Sequence, residues 1–366
     1  MNFNQSQDLD SEARNLKRQN WKRQILRVLL YLGDVILWTL VLAGFIWSAG
    51  AIWFLEFLPA WLSKPLAVIF LAFGIWLFRR GNRSNKNGFN WKRWARPIMA
   101  SMVPITYFVT LFVQPSNERV WAEDQRLLPE IVIDGQQVTI KNFRDFRYRS
   151  ADDPIPQYQD FTFSLDQVES AWFLIQRFTR FEGMAHTFVS FGIDTPQGKK
   201  YFSISVEIRR EDQELYSPIR GIYRNYELMY VVGSEQDLIG VRTNVRENDR
   251  VFLYRANATP QQSRDLFLQF AKRIESLRID PEFYGTFLNN CTNNIVAHTW
   301  QLTAEPINPL SPRIILPGYS ASVAYELGLI GSPDRSFDDL QSASRIDQLA
   351  REAGISDAFS EAIRSR

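Results

Sequence analysis

The N-terminal part of the chain is dominated by three long apolar runs, at residues 28–54, 65–78 and 97–113. A helix needs about 17–25 apolar residues to cross the roughly 30 Å hydrocarbon core of a bilayer. The runs reach or approach that length, the second if it begins near residues 58–61. Tryptophans near their ends favour membrane spans over buried soluble helices. The pattern predicts a polar, basic segment over 1–27 and three transmembrane helices within 28–114.

Basic residues set the orientation of these helices. Seven lysines and arginines stand between residues 79 and 96, whereas the preceding loop offers only Glu56 and Lys64. Basic loops stay in the cytoplasm, which places the N-terminus inside and residues 115–366 outside. Asp34 falls within the first run, where we expect it to hydrogen-bond to a neighbouring helix or to reach the headgroups.

From residue 115 the pattern becomes mixed, with strand-like alternation first and helical period later. Alternation predicts strands at 131–140, folded around an Asp-Gly turn, and at 161–165, 185–191, 200–208, 228–233 and 250–254, with a turn at 192–198. Residues 166–179 fit either a strand or a helix. Helical period predicts helices at 259–279, 291–302, 320–329 and 337–353. The domain is therefore expected to be α+β.

Composition excludes several kinds of site. A net charge of +2 does not suit a nucleic-acid binder. One cysteine excludes an intrachain disulfide and a cysteine-based zinc site, and two histidines leave little for a transition metal. We therefore expect no metal, no cofactor and no nucleic-acid partner.

The single cysteine, Cys291, opens the expected helix 291–302. The positive end of a helix dipole lowers the pKa of a thiol, which suits a nucleophile. The alternative is a structural cysteine in the core, because free cysteine is often buried. An edge or a cleft is favoured by its polar neighbours, which are Asn289, Asn290, Thr292, Asn293 and Asn294.

A thiol nucleophile needs a base, and the chain has two histidines. His298 lies seven residues after Cys291, which is about 10 Å along a helix and too far for a hydrogen bond of roughly 3 Å. His186, on the strand expected at 185–191, is the other choice, although a lone histidine on a strand is often a core residue.

The strand expected at 200–208 carries three side chains at period two that could orient His186. Ser203, Ser205 and Glu207 lie on one face of that strand. A carboxylate is the natural partner of an imidazolium. Glu207 is equally suited to pair with Arg209 or Arg210.

Several blocks of the sequence together resemble the Lnb-type family. They are Arg144-Asp-Phe-Arg-Tyr-Arg, Ala185-His-Thr-Phe-Val-Ser-Phe-Gly, Ser203-Ile-Ser-Val-Glu-Ile-Arg-Arg, Tyr226-Glu, Phe287-Leu-Asn-Asn-Cys-Thr-Asn-Asn, Leu316-Pro-Gly-Tyr-Ser and Leu327-Gly-Leu-Ile, spread over residues 118–350. The resemblance implies a permuted papain-like (NlpC-like) fold, in which the histidine precedes the cysteine. It also implies a periplasmic domain attached to a bacterial inner membrane.

The best-known member of this family is a lipoprotein N-acyltransferase, which moves an acyl chain from the lipid of a diacylglyceryl lipoprotein onto the amine of its lipidated N-terminal cysteine, whereas most members have no assigned activity. By this resemblance Cys291 carries the acyl chain as a thioester and His186 moves the proton. Glu207 or a nearby serine, Ser205, orients the imidazole. Membrane lipid and a diacylglyceryl lipoprotein are the implied partners. Here the apolar runs precede the domain, whereas in that member the membrane helices follow it.

Four further residues complete the expected site. The oxyanion of an acyl transfer needs hydrogen-bond donors, and the candidates are the Cys291 backbone N–H with the side chain of Asn290 or Tyr284. Arg209 and Arg210 either bind an anionic headgroup or carboxylate, or are paired within the protein.

Three functions remain open at this point. The first is a membrane-anchored thiol acyltransferase acting on lipoprotein or phospholipid. The second is a thiol amidase or peptidase of the cell wall. The third is a non-catalytic envelope domain that binds lipid or a partner, with Cys291 as a structural residue. An apolar groove beside the thiol would favour the first and an open polar groove the second.

Overall fold

A computed structural model describes residues 3–82, 91–212, 214–246, 248–299, 303 and 306–365. The chain divides into two compact units, Met1–Gln114 and Pro115–Arg366. Two segments named above lie partly outside the described residues. They are the basic loop, with Arg83 and Lys86, and the end of the helix expected at 291–302.

The first unit consists of three helices, α1 (Phe3–Trp53), α2 (Ala60–Asn82) and α3 (Trp91–Thr110). Two segments, Trp21–Trp53 and Ala60–Gly81, are long and apolar enough to cross a membrane. The polar segment 1–27 was not expected to be helical, yet α1 runs through it from Phe3. The coarse prediction of apolar helices near the N-terminus is confirmed, and a third span remains a prediction.

Close packing holds the three helices together. Phe45 of α1 stacks on Phe70 of α2 with ring centroids 4.3 Å apart. Gly74 allows this approach, because a Cβ at that position would lie 2.1 Å from the Phe45 ring. Asp34 forms an ion pair with Arg96 of α3 at 2.6 Å, which agrees with the first of its two expected roles.

The second unit is built on one large sheet. Its strands are β1 (Glu130–Asp134), β2 (Gln137–Arg144), β5 (Tyr158–Ser164), β6 (Val168–Arg177), β7 (Ala185–Thr195), β8 (Gly198–Arg209), β9 (Glu227–Ser234) and β10 (Arg250–Arg255). The order is β1-β2-β9-β8-β7-β6-β10, with β5 also paired to β2. The described pairs are antiparallel except β2 with β9. A small separate hairpin joins β3 (Arg147–Ser150) to β4 (Asp153–Ile155).

The helices of this unit lie mainly in its second half, as expected for α+β. They are α4 (Pro218–Ile222), α5 (Glu235–Leu238), α6 (Pro260–Ile279), α7 (Cys291–Thr299), α8 (Pro312–Ile315), α9 (Ser320–Glu326), α10 (Phe337–Ala343), α11 (Asp347–Ala353) and α12 (Phe359–Ala362). A π-helical turn, Val241–Val245, follows α5.

The main core lies between the sheet and α6. Thr259 caps this helix in a capping box with Gln262, and apolar residues recur along one face from Leu266 to Leu277. Phe267 and Phe270 pack against sheet aromatics such as Phe191, with ring centroids 5.7 and 6.0 Å apart. Cys291 and Ile295 of α7 extend the same core.

One open choice is settled and two local expectations need correction. Within residues 166–179, which fitted either a strand or a helix, Val168–Arg177 form strand β6. The turn expected at 192–198 is shorter, because β7 continues to Thr195. The helix expected at 337–353 is two helices, because the segment between them pairs with β10: Leu253 N–H donates to Ser344 O at 2.8 Å, and Ile346 N–H donates to Val251 O at 2.8 Å.

Candidate active site

A tight hairpin and an asparagine cap place Cys291 at the first position of α7. Gly285 and Asn289 exchange backbone hydrogen bonds of 3.2 and 3.0 Å across the hairpin. Asn290 Oδ1 then accepts the Asn293 N–H at 2.9 Å, which is the interaction of an N-cap. The Asn290 amide also donates to Thr286 O at 3.0 Å. Asn290 therefore fixes the start of the helix. Its side-chain amide, which was expected to donate to an oxyanion, donates to Thr286 O instead.

The polar residues around Cys291 do not mark an edge. Cys291 is only 3% exposed, and Asn290, Thr292 and Asn294 are buried with it. Their polar atoms are satisfied internally: Thr292 Oγ1 lies 3.0 Å from Thr187 Oγ1, and Asn294 donates to Asn289 Oδ1 at 2.9 Å. The inference from polar neighbours to an edge or a cleft was wrong as regards an edge, because hydrogen bonds let these side chains enter the interior.

Strands β7 and β8 bring the base and its partners to the thiol. His186 interacts with Cys291 through a side-chain hydrogen bond and through charge. Its Nε2 lies 2.7 Å from Ser205 Oγ and 3.2 Å from Glu207 Oε1. Ser205 Oγ in turn donates to Glu207 Oε1 at 2.6 Å. With Nε2 so engaged, Nδ1 is the imidazole nitrogen that remains for the sulfur.

Glu207 has a cationic partner that the sequence did not suggest. Arg242, in the π-helical turn, donates from Nη2 to Glu207 Oε1 at 2.7 Å and from Nε to Gln176 Oε1 at 2.7 Å. Gln176 donates onward to Asp249. The alternative pairing of Glu207 with Arg209 or Arg210 does not occur among these contacts. No local sequence signal marks Arg242, since it meets Glu207 only through the tertiary fold.

The charges of this cluster support one another. Burial opposes protonation of His186, but Glu207 and Cys291 outweigh it and raise the pKa of His186 to about 9. Burial raises the pKa of the Cys291 thiol, yet His186 and hydrogen bonds from Thr187 bring it below its ordinary value. Burial also opposes ionisation of Glu207, while the charges of His186 and Arg242 hold its pKa well below the ordinary range. The shifts therefore favour an imidazolium and a carboxylate at neutral pH, beside a thiol that ionises more readily than an ordinary cysteine.

Two tyrosines border the thiol. The Tyr284 hydroxyl is hydrogen-bonded to the backbone of Cys291, and burial raises its pKa well above the ordinary value. Tyr216 was not singled out from the sequence. Partial burial and, to a smaller extent, the nearby Cys291 raise its pKa to about 12. Tyr284, an expected oxyanion donor, thus lies beside the Cys291 backbone N–H.

His298 takes no part in this cluster. Its Nε2 lies 3.0 Å from Tyr230 Oη, and its ring centroid is 4.4 Å from that of Phe270. Burial and the charge of Arg273 lower its pKa to about 4. His298 is thus a neutral, structural residue that packs α7 against Tyr230 and Phe270.

The two arginines proposed for substrate binding have internal partners. Arg209 is buried, donates to Gln125 O, Arg126 O and Asn117 Oδ1 at 2.8 to 3.1 Å, and lies over the Trp121 ring. Burial lowers its pKa to about 10.

Arg210 donates to Glu214 O at 2.9 Å and pairs with Asp124 at 3.4 Å. The structure therefore gives both arginines a structural role, which was the alternative considered for them.

An apolar cavity lies along α7 beside the thiol. It holds about 730 Å³ of space free of protein atoms, its mouth included, and its lining includes Val189, Leu266, Ile295, Val296, Ile314 and Ile330. Thr292 connects it to the thiol, since this residue lines the cavity and its Oγ1 is 4.0 Å from Cys291 Sγ. Across the described part of the chain, no group of three or more His, Cys, Asp or Glu side chains could hold a metal ion.

Comparison with known proteins identifies part of the second unit. Residues 155–317 match the family described as the Lnb N-terminal periplasmic domain. The match includes His186, Ser205, Glu207, Arg242 and Cys291. Neither the curated proteins nor the solved structures contain a match to the chain. The family recognised from the sequence blocks is thereby confirmed, and its papain-like fold remains a prediction.

Proposed function

Because the chain carries an Lnb N-terminal periplasmic domain, we propose that it is a membrane-anchored thiol acyltransferase acting on lipoprotein or phospholipid acyl chains. The observation that carries this proposal is the buried Cys291 thiol at the start of α7, linked through His186 to Ser205 and Glu207. A nucleophile, its base and an orienting acid in sequence form the arrangement of a covalent acyl-transfer catalyst.

The chemistry divides into two balanced steps. The Cys291 thiolate attacks the ester carbonyl, and the tetrahedral intermediate expels the alcohol, which takes its proton from the His186 imidazolium. The acyl chain is then a thioester on Cys291. An amine attacks this thioester, His186 accepts the amine proton, and the amide leaves with the thiolate restored. Splitting the transfer in this way lowers the barrier of each step.

Stabilisation of the intermediate falls to groups beside the sulfur. The Cys291 backbone N–H and the Tyr284 hydroxyl meet there. Donors fixed in a buried site act more strongly on a developing oxyanion than they would in water. In this mechanism a substrate carbonyl oxygen takes the place at Cys291 N–H that Tyr284 Oη now fills.

The cavity favours acyl chains over peptides. Its lining is dominated by aliphatic and aromatic side chains, and one lining residue, Thr292, has its Oγ1 4.0 Å from Cys291 Sγ. Apolar pockets with few polar groups select apolar ligands. A cell-wall peptide or glycan would find few polar partners in this lining, whose polar side chains are Asn257, Thr292, Thr299 and Ser320.

The anchoring that we propose is a multi-pass arrangement in the bacterial inner membrane, with three spans and residues 115–366 in the periplasm. The two long apolar helices and the periplasmic family of the second unit support it. Reporter fusions after residues 89 and 154 should report the cytoplasm and the periplasm respectively. Finding both reporters on one side would contradict this topology.

The decisive experiment is mass spectrometry of the purified chain after incubation with phospholipid or diacylated lipoprotein. We expect an acyl adduct on Cys291 that hydroxylamine removes, and none in Cys291→Ala. His186→Ala should also block adduct formation, and combining it with Cys291→Ser should cost little beyond either change alone, because the two groups act as a unit. Absence of the adduct, together with cleavage of wall peptides, would instead identify a thiol amidase.

A further inference from the structure

The hairpin that leads to the nucleophile exposes two large apolar side chains at its tip. Phe287 is 49% and Leu288 is 67% exposed, between the paired residues Gly285 and Asn289. Cys291 follows two residues after this hairpin. Exposed apolar side chains at a loop tip gain nothing for the isolated fold, since burial is what makes them stabilising.

A second loop adds three more apolar side chains at the same place. Leu215, Tyr216 and Ile219 are 81%, 51% and 57% exposed. The loops are joined at Thr286, whose hydroxyl donates to Pro218 O at 2.9 Å and whose N–H donates to Gly221 O at 3.3 Å. We call these five exposed residues, Leu215, Tyr216, Ile219, Phe287 and Leu288, the apolar rim. A contiguous patch of this kind marks an interaction surface, whereas single exposed apolar residues do not.

The chain enters the second unit at the same end of the sheet as the rim. Ser116 N–H donates to Glu227 Oε1 at 3.1 Å, and Glu227 is the first residue of β9. Glu227 also pairs with Phe283, just before the hairpin that carries Phe287. The first unit, which contains the two helices long and apolar enough to cross a membrane, ends at Gln114, directly before this point. The chain therefore passes from the helical unit into the second unit at the end of the sheet that carries the rim.

We propose that the apolar rim docks on the surface of a lipid bilayer, with its side chains in the boundary between headgroups and acyl chains. Leucine, isoleucine and aromatic side chains on a protruding loop are the composition that inserts there. The inference rests on the proposed function for its purpose: a docked rim places the mouth of the site at the membrane surface, where an acyl ester lies.

The single cysteine of the chain makes the docking measurable. In a Cys291→Ser background, Leu288→Cys or Ile219→Cys provides one site for a nitroxide spin label. The control is Ile355→Cys, because Ile355 is partly exposed and contacts Gly240, beyond the opposite end of β9. That strand of eight residues separates the two ends by roughly 25 Å. The full chain is placed in nanodiscs of phosphatidylethanolamine and phosphatidylglycerol.

Collision rates of the label with oxygen, which concentrates in the bilayer, and with a water-soluble nickel chelate report its surroundings. We expect oxygen to dominate at positions 288 and 219 and the nickel chelate to dominate at 355. Dominance of the nickel chelate at all three positions would overturn the proposal. Shielding of positions 288 and 219 from both reagents would also overturn it, because that result indicates cover by protein.

The test is independent of catalysis, since Cys291→Ser removes the thiol. Docking without any acyl adduct on native Cys291 would refute the proposed function and leave the rim as a membrane contact. An acyl adduct on native Cys291 without docking would refute the proposal for the rim and leave the proposed function standing. As a second variant, Leu288→Ser with the thiol intact should slow acyl capture from vesicles several-fold while leaving alkylation of Cys291 by iodoacetamide unchanged. Equal capture by Leu288→Ser and the native chain would count against the rim.

Discussion

Replacing Arg242 by methionine removes the cation that holds Glu207 in place. Arg242 is buried, with a side chain 7% exposed, and it donates to Glu207, to Gln176 and to Leu238 O. Methionine keeps much of the apolar stem and loses every donor. Glu207 then keeps only His186 and Ser205 as partners, and the Gln176 oxygen loses its donor.

The cost in stability can be bounded from this geometry. Removing one partner of a buried ion pair costs about 3–5 kcal/mol, because the other charge is left uncompensated. The protonated His186 remains 3.2 Å from Glu207, so we expect the lower end, about 3 kcal/mol. Arg242→Lys should cost less than Arg242→Met, since it keeps the charge and loses the two-sided donation. Adding Glu207→Gln to Arg242→Met should recover part of the loss, because it removes the unpaired charge.

The same change should weaken the nucleophile. The pKa of Glu207 lies below its ordinary value in the fold, so its contribution to stability is present above its unfolded pKa and is lost as the pH falls. Without Arg242 this pKa rises, and the loss of a positive charge from the cluster also disfavours the thiolate, so the pKa of Cys291 rises. The alkylation of Cys291 by iodoacetamide should therefore need a higher pH.

Two measurements check this reasoning on the full chain in detergent: unfolding by denaturant, followed by fluorescence, and the alkylation rate as a function of pH. Arg364→Met is a matched control, because Arg364 pairs with the buried Glu235, away from the thiol cluster. It should destabilise the chain without moving the alkylation profile. The account is refuted if Arg242→Met leaves the alkylation profile where it was, or if Arg364→Met moves it equally.

Three further perturbations test other parts of the site. As the pH falls from about 6.5 towards 4, His298 should cost the fold about 3 kcal/mol, because the unfolded state binds the proton more tightly. His298→Phe should abolish this loss. Melting temperatures measured across that pH range test the prediction, and an unchanged pH slope in the variant would contradict it. Val296→Trp should fill part of the cavity and shorten the acyl chains found on Cys291, while leaving iodoacetamide alkylation intact; unchanged chain lengths would exclude the cavity as the acyl site. Asn290→Ala should cost about 1 kcal/mol by removing the helix cap, and Asn290→Asp should retain the cap; equal denaturation midpoints for the two variants would refute the capping role.

Local signals in the sequence predicted the parts of the fold that depend on neighbouring residues. The Asp-Gly turn between β1 and β2 forms with Gly135 at a φ of 58°, which glycine adopts without strain. The helix expected to begin at Thr259 does so, and Thr259 forms a capping box with Gln262 at the start of α6. The break between α10 and α11 was not predictable in this way, because it is caused by pairing with β10, about ninety residues earlier in the chain.

The site, like the fold, has parts that follow from neighbouring residues and parts that depend on tertiary contacts. Period two along β8 places Ser205 and Glu207 on one face, and the structure has both side chains bonded to His186. Arg242 escaped notice because its partner lies 35 residues away and its π-helical turn has no simple sequence signature. The burial of Asn290 and Asn294 was missed for a related reason: residue type indicates exposure only when no tertiary hydrogen bonds are available.

The two histidines show why spacing alone could not explain the choice of base. Burial opposes the charged form of both rings. At His298 the nearby charge is Arg273, which adds to the effect of burial and leaves a neutral ring. At His186 the nearby charges are Glu207 and Cys291, which outweigh burial and raise the pKa of the ring. An imidazolium can stabilise a thiolate and later protonate a leaving alcohol, whereas a ring with a pKa of about 4 is a weak base and holds no proton to give at neutral pH. Spacing along α7 separates His298 from the sulfur, and the surroundings of His298 also make it the weaker base of the two rings.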